Sequence, residues 1–185
     1  MNLRSTNLNR MTDQPNIVAA RLGVDDKRDL DRLLTRGTPR WLPLQGPQAE
    51  AYDCQADFLF YGGSAGGGKT DLALGLALTA HRRAIVFRRE YKQLRAIIDR
   101  TAEILGGLKG FNGRDKIWTL PGARRLEFGA CQHPGDEKGF QGRPHDLKAF
   151  DEISHFLESQ FRFLCGWLRT TEAGQRCRVL CTGNP

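Results

Sequence analysis

The sequence lacks several features that would assign it to a class at once. No apolar run approaches the roughly 18 residues of a membrane span, and the polar stretch 1–21 contains no apolar signal core. The 21 glycines have no period of three, which excludes a collagen-like chain. These absences favour a soluble globular protein with a cytoplasmic location.

The cysteines and histidines also lack a pattern. The five cysteines include no C-x-x-C pair, and the four histidines are scattered along the chain. Structural zinc sites need sulfur or imidazole ligands at short, regular spacing, so we predict no metal site built from these residues. An odd number of thiols without a pairing pattern is typical of a reducing compartment, which agrees with the cytoplasm.

The length and the charge narrow the possibilities further. The 185 residues are enough for one domain with a substantial core and too few for two full-sized domains. The 28 Lys and Arg residues exceed the 21 Asp and Glu residues, and the net charge of +7 favours a polyanionic partner. The excess is concentrated in residues 81–100. A DNA-contacting face, a contact face in a ring and a solvated helix face would all have this composition.

Apolar runs alternate with helical patterns along residues 41–185, and residues 1–40 are predicted to be an arm with one short helix. The alternation predicts an α/β fold with a mainly parallel sheet flanked by helices. Lys148 interrupts one strand, and we expect its side chain to reach solvent from a sheet edge. The predicted strands are 58–61, 84–87, 147–150 and 178–181, the predicted helices are 70–80, 91–105 and 156–168, a helical turn is predicted at 48–54, and 116–120 with 124–128 form a predicted inserted β-hairpin.

A glycine-rich segment between the first predicted strand and the next helix fits G-x-x-x-x-G-K-[ST]. Glycines let backbone N–H groups point at phosphate oxygens, and the helix that follows adds the positive end of its dipole. Lys69 would neutralise the phosphates, and Thr70 would ligate Mg²⁺. We therefore predict a site for ATP and Mg²⁺, although a flexible turn has a similar composition. The segment consists of Gly63, Ser64, Ala65, Gly66, Gly67, Gly68, Lys69 and Thr70.

Two acids follow the strand 147–150, at the edge where ligands bind in parallel sheets. Asp151 would hold Mg²⁺ or its water, and Glu152 would orient and deprotonate an attacking water. Adjacent side chains on an extended backbone point apart, so one acid can face the metal and the other the γ-phosphate. Alternatively, both acids only cap the next helix. Asn184 ends the strand 178–181 at the same edge and could contact the γ-phosphate, although a simple turn would look the same.

Several of these segments together resemble the ATPase domain of a bacteriophage terminase large subunit. The resemblance spans residues 41–185 and implies the additional-strand, catalytic-glutamate class of P-loop NTPase. In that class the strand ending in Thr-Gly-Asn lies between the P-loop strand and the Asp-Glu strand. The segments that carry the resemblance are 48–52, 60–70, 87–91, 141–146, 150–152 and 174–185.

The resemblance also implies roles for individual positions. Gln48 matches the family's adenine-reading glutamine, and residues 182–184 match its coupling motif. Residues 63–70 match the Walker A loop, and Asp151 and Glu152 match the Walker B pair. The arginine finger does not transfer cleanly, because Arg88, Arg89 and Arg143 could each reach the γ-phosphate in cis or from a ring neighbour. Each of these arginines could equally pair with an acid or bind DNA phosphate.

By the same resemblance, the function is an ATP-driven motor that moves double-stranded viral DNA into a procapsid. The implied partners are the portal protein, the terminase small subunit and further copies of the chain in a homo-oligomeric ring. The family's nuclease domain does not lie within these residues, so we expect no nuclease activity from them. Because they end at the coupling motif, we also expect the ATPase domain to be incomplete at its carboxyl end, as in the front part of a longer protein.

Two other functions stay open at this stage. The first is a different nucleic-acid-dependent ATPase with a helicase-like core, although helicases usually need two such cores. The second is a non-catalytic nucleotide-binding fragment. A GTPase is disfavoured because the sequence has no Asn-Lys-x-Asp motif.

Overall fold

The computed structural model describes residues 41–184, so the predicted arm at 1–40 lies outside the described residues. The strands are β1 (Phe58–Gly62), β2 (Arg83–Arg88), β3 (Phe111–Asn112), β4 (Ile117–Leu120), β5 (Arg124–Ala130), β6 (Leu147–Phe150) and β7 (Arg178–Gly183). The α-helices are α1 (Pro47–Asp53), α2 (Lys69–Thr79), α3 (Leu94–Leu105) and α4 (Glu158–Cys165). None of these helices is long and apolar enough to cross a membrane.

The strands form one sheet in the order β1-β7-β6-β2-β5-β4-β3. The first five in that order run parallel, and β4 and β3 are antiparallel additions. The predicted α/β fold with a mainly parallel sheet is confirmed. The strand β7 lies between β1 and β6, as the resemblance implied, so the carboxyl ends of β1, β7 and β6 meet at one edge.

The predicted hairpin is present, but it is not an appendage. Its second strand, β5, also pairs in parallel with β2, so the hairpin continues the main sheet. Two helical predictions also needed adjustment. The pattern at 91–105 begins with a 3₁₀ turn before α3, and the pattern at 156–168 yields only the shorter α4.

Apolar cores cover both faces of the sheet. Helices α2 and α3 pack on one face, and α4 packs on the other against Phe87 and Phe150. Most of α2 is buried, as its nearly uniform apolar composition predicts. A Cβ at Gly75 would overlap the ring of Trp41, so this glycine allows the tryptophan to pack directly against the helix.

The expectation that Lys148 reaches solvent is wrong. Its strand, β6, lies between β7 and β2, and the side chain is fully buried. The Lys148 Nζ donates a hydrogen bond of 3.3 Å to His145 Nδ1, and His145 Nε2 lies 3.4 Å from a Glu127 carboxylate oxygen. Burial lowers the pKa of Lys148 to about 8, because the charged ammonium has lost its contact with water.

We predict that Lys148→Met stabilises the protein at neutral pH and that this advantage shrinks as the pH rises. Between about pH 8 and 10.5 the unfolded lysine binds more protons than the folded one, so wild-type stability rises with pH in this window. The lowered pKa of Lys148 corresponds to roughly 3 kcal/mol of lost stability at neutral pH, which the substitution would restore. Losing the hydrogen bond to His145 would reduce this gain in the free energy of unfolding by about 1 kcal/mol.

Urea unfolding of both proteins from pH 7 to 10.5 measures this difference. The exposed Lys138→Met is the matched control and should differ from wild type by the same small amount at every pH. If the free energies of unfolding of Lys148→Met and wild type differed by the same amount at every pH, the lowered pKa of the buried Lys148 ammonium would be contradicted.

Candidate functional site

The predicted site residues converge at the edge where the parallel strands end. The glycine-rich loop follows β1, the two acids follow β6, and Asn184 follows β7. They surround a cavity of about 430 Å³, a volume in the range of small-ligand sites. The cavity is lined by Ala65, Gly66, Gly67, Gly68, Lys69, Thr70, Asp71, Glu152 and Asn184.

The loop backbone has the form that an anion site requires. Gly66 and Gly68 have φ values of 82° and 70°, a region that glycine adopts without steric cost. The loop leads directly into α2, whose first-turn N–H groups have no partners within the helix. Those N–H groups and the positive end of the helix dipole favour phosphate oxygens at this position.

Lys69 is held at the mouth of the loop. Its ammonium donates hydrogen bonds of 2.8 Å to the carbonyls of Gly63 and Ser64 and of 2.9 Å to Asn184 Oδ1. The amide nitrogen of Asn184 lies 3.5 Å from a carboxylate oxygen of Glu152. One asparagine therefore connects the loop lysine to the second acid.

Asp151 is buried, with 1% of its surface exposed, and its carboxylate is surrounded by donors. Thr70 donates a hydrogen bond of 3.0 Å to Oδ2, and Thr182 donates one of 2.7 Å to Oδ1. Arg88 approaches Oδ2 with two nitrogens, Nε at 2.9 Å and a terminal nitrogen at 2.8 Å. Burying a carboxylate is costly unless hydrogen-bond donors compensate for the lost water, and these side chains supply them.

Glu152 departs from the expected extended backbone, and that expectation is wrong. Its φ of 62° lies in the left-handed region, which is uncommon for a residue with a side chain. Its N–H donates a hydrogen bond of 3.3 Å to Thr182 Oγ1. Asp151 is buried against Thr70 while Glu152 lines the cavity, so the two acids still occupy different positions.

Gln48 lies beneath the loop and is 4% exposed. Its amide nitrogen donates a hydrogen bond of 2.9 Å to the Gly68 carbonyl, and its oxygen accepts from the backbone N–H of Leu44. These contacts attach α1 to the loop. A Cβ at Gly68 would overlap the Gln48 amide nitrogen, so a larger residue there would displace the Gln48 side chain. The reading of adenine by Gln48 stays a prediction.

The structure does not bring Arg89 and Arg143 to this cavity. Arg89 donates a hydrogen bond to the buried side chain of Gln160 in α4. Arg143 precedes β6 and therefore lies towards the amino ends of the strands, with a terminal nitrogen 3.6 Å from Glu127. A role for either as an arginine finger stays a prediction.

Two contacts of Asp151 were not predicted from the sequence, those with Arg88 and Thr182. Both depend on which strands flank β6. The resemblance implied that β7 lies beside β6, and the sequence left Arg88 open as an arginine that pairs with an acid, but neither signal named Asp151 as the partner.

Thr182→Val is expected to destabilise the fold, because it removes a hydrogen-bond donor from a buried carboxylate while keeping the shape of the side chain. Hydrogen bonds to charged groups contribute about 1.5–3 kcal/mol, and we expect a loss of that size in the free energy of unfolding. Urea unfolding at pH 7 measures it. The matched control is Thr119→Val on the exposed side of β4, and equal effects at both positions would contradict the Asp151 contact.

Comparisons with known proteins found solved structures with a similar fold. No protein-family model and no curated protein matches the sequence. The large terminase of a thermophilic bacteriophage matches with a TM-score of 0.60 and 16% identity, over 78% of this chain and 40% of that one. The large terminase of bacteriophage HK97 matches with a TM-score of 0.57 and 12% identity, over 77% and 33% of the two chains.

These matches confirm the P-loop fold and, at the level of the fold, the predicted resemblance to phage large terminases. Another crystal form of the terminase from the thermophilic phage matches with a TM-score of 0.53 and 16% identity, over 77% of this chain and 38% of that one. The chain therefore spans two fifths or less of the length of the terminases it matches.

Proposed function

We propose that this chain is the ATP-hydrolysing part of a terminase-like motor that translocates double-stranded DNA. One observation carries the proposal. The P-loop, Asp151, Glu152 and Asn184 converge at one strand edge in a fold shared with phage large terminases. The spacing of the loop residues and the two acids at the end of β6, two strands away from β1, match what phosphoryl transfer requires.

The loop would bind the phosphates of ATP. Backbone N–H groups from the loop and the first turn of α2 would contact the phosphate oxygens, and Lys69 would neutralise the β- and γ-phosphates. The Lys69 ammonium already lies where the loop carbonyls and Asn184 meet, so a small movement would bring it to a phosphate. Gln48 would contribute from below by fixing Gly68 and, as the resemblance implies, by reading adenine.

Thr70 and Asp151 would hold Mg²⁺, directly or through water. Their oxygens lie 3.0 Å apart, and hydroxyl and carboxylate oxygens are the hard ligands that this ion prefers. Bound Mg²⁺ would neutralise charge on the phosphate oxygens as the γ-phosphate leaves. Arg88 keeps the Asp151 carboxylate oriented and compensated at the same oxygen.

Glu152 would act on the attacking water. Its carboxylate lines the cavity, where it would orient the water and accept its proton. Asn184 contacts both Glu152 and Lys69, so a change at the lysine when the γ-phosphate leaves would reach the acid and the end of β7. This contact is the physical basis that we propose for the coupling motif.

The proposed partners are double-stranded DNA, the portal protein, the terminase small subunit and further copies of the chain in a ring. An arginine finger would then come from a neighbouring copy. Arg143 suits that role because about half of its side chain is exposed and its own contact with Glu127 is long. Arg89 is the second candidate, although it would first have to leave Gln160.

We predict that Lys69→Ala abolishes ATP binding, whereas Glu152→Gln keeps binding and lowers turnover by about 10²-fold or more. The lysine contacts the phosphates in every state, but the glutamate is needed only when water attacks. Phosphate release and fluorescent-nucleotide binding with Mg²⁺ measure the two effects. The exposed Glu158→Gln is the matched control and should behave as wild type.

Wild-type turnover in both variants would contradict the site assignment. ATP binding without hydrolysis in the wild type, even when it is mixed with intact terminase subunits, would instead support a non-catalytic nucleotide-binding module. DNA strand separation that does not require a procapsid would support the helicase-like alternative.

A further inference from the structure

A second, larger cavity lies on the face of the sheet that carries α4, between β2, β5 and the segment that precedes β6. Its volume is about 590 Å³. Five basic side chains line it, and we call it the basic groove. They are Arg83, Arg114, Lys116, Arg125 and Arg143.

The acids that line the basic groove are already engaged by other groups. Asp115 accepts a hydrogen bond of 2.7 Å from Asn112, and Asp136 accepts one of 2.9 Å from the backbone N–H of His133. Glu127 lies 3.4 Å from His145 and 3.6 Å from Arg143.

Four of the five basic groups lack a carboxylate partner among residues 41–184. No carboxylate oxygen there lies within 4 Å of the charged groups of Arg83, Arg114, Lys116 or Arg125. Five basic side chains and three acids line the basic groove, so the basic charges outnumber the acidic ones there.

Two of these arginines stand side by side. Arg83 on β2 and Arg125 on β5 are register partners in adjacent parallel strands, and both are exposed. Like charges at such neighbouring positions destabilise a sheet. Folding alone would be served better by a neutral residue at either position, and an anionic ligand in the groove would remove the repulsion.

Basic side chains also line a neighbouring cavity of about 370 Å³. Arg83 and Pro144 line both cavities, and the second is also lined by Arg169 and by the acid Glu172. Tyr91, half exposed, lies in the groove with its ring 5.3 Å from the Lys116 ammonium. Basic side chains on two neighbouring cavities can contact more than one phosphate, as the backbone of a nucleic acid provides.

The basic groove is separate from the cavity at the P-loop. No residue lines both cavities. Arg83 begins β2, so it lies near the amino ends of the parallel strands, whereas the P-loop and the acids follow their carboxyl ends. A polyanion in the groove would therefore leave the P-loop cavity accessible.

From the arginines without a carboxylate partner among residues 41–184, the register of Arg83 with Arg125 and the two cavities that share Arg83, we infer that the basic groove binds the phosphodiester backbone of a DNA duplex. The inference rests on the proposed function and deepens it by naming the surface of this chain that contacts DNA. The contacts are to phosphates, so binding is independent of base sequence and falls steeply with salt.

The test is binding of a fluorescent 20-base-pair duplex by anisotropy, between 50 and 200 mM salt, without nucleotide. We expect Arg83→Glu with Arg125→Glu to weaken binding at least roughly tenfold and to reduce the slope of log affinity against log salt by about 2. The matched control is Arg95→Glu with Arg162→Glu, which changes the net charge equally at exposed helix positions outside the groove. That control should lose much less affinity.

A second double variant, Arg83→Gln with Arg125→Gln, removes both charges without reversing them. It serves as the test if the charge-reversal variant does not fold. It should weaken duplex binding while leaving the melting temperature unchanged or higher, because it removes a repulsion. A lower melting temperature with unchanged duplex affinity would indicate a purely structural role and overturn the inference. Equal losses in the groove variant and in the control variant would also overturn it, because total charge would then explain binding.

Two further measurements separate this inference from other outcomes. A polyglutamate peptide that competes as well as the duplex, with the same sensitivity to the groove variants, would overturn the DNA assignment in favour of an acidic protein partner. Lys69→Ala should leave duplex binding intact. Duplex binding that depends on the groove, in a protein that hydrolyses no ATP, would support the inference and contradict the proposed function. ATP hydrolysis in a protein whose duplex binding does not depend on the groove would support ATP hydrolysis as the function and overturn the inference.

Discussion

The buried carboxylate of Asp151 is the interaction on which the rest of the site depends. It follows β6 and accepts hydrogen bonds from Thr70 on α2, Arg88 on β2 and Thr182 on β7. A buried charge is costly unless donors compensate for it, so these four elements have to meet at this point. The same contacts that stabilise the strand edge place the P-loop beside the acids, and structure and chemistry therefore share one set of hydrogen bonds.

Two features connect the surroundings of Asp151 to other parts of the sheet. Asn184 contacts both Lys69 and Glu152, so the loop lysine and the second acid are joined through the residue that follows β7. The strand β2 has Arg88 at Asp151 and Arg83 in the basic groove. One six-residue strand therefore has one end at Asp151, beside the P-loop, and the other end at the basic groove.

The sequence was sufficient for features that depend on local pattern. The alternation of elements predicted the parallel sheet, and the glycine spacing predicted the loop at 63–70, because both are determined by neighbouring residues. Lys148 shows where that reasoning fails, since a charged residue in a strand indicates an edge and only the strand order reveals that β6 is central. The left-handed backbone of Glu152 was not predicted. The sequence left Arg88 open between the γ-phosphate, DNA and an acid, because the choice of Asp151 depends on β2 and β6 being neighbours in the sheet.

The most direct test of the central claim is a crystal structure of the protein with Mg²⁺ and a non-hydrolysable ATP analogue. The account predicts the phosphates on the N–H groups of the loop, the Lys69 ammonium moved from the loop carbonyls to the phosphates, and Mg²⁺ next to Thr70 and Asp151. Nucleotide bound elsewhere, or Mg²⁺ held without either of those two residues, would contradict it.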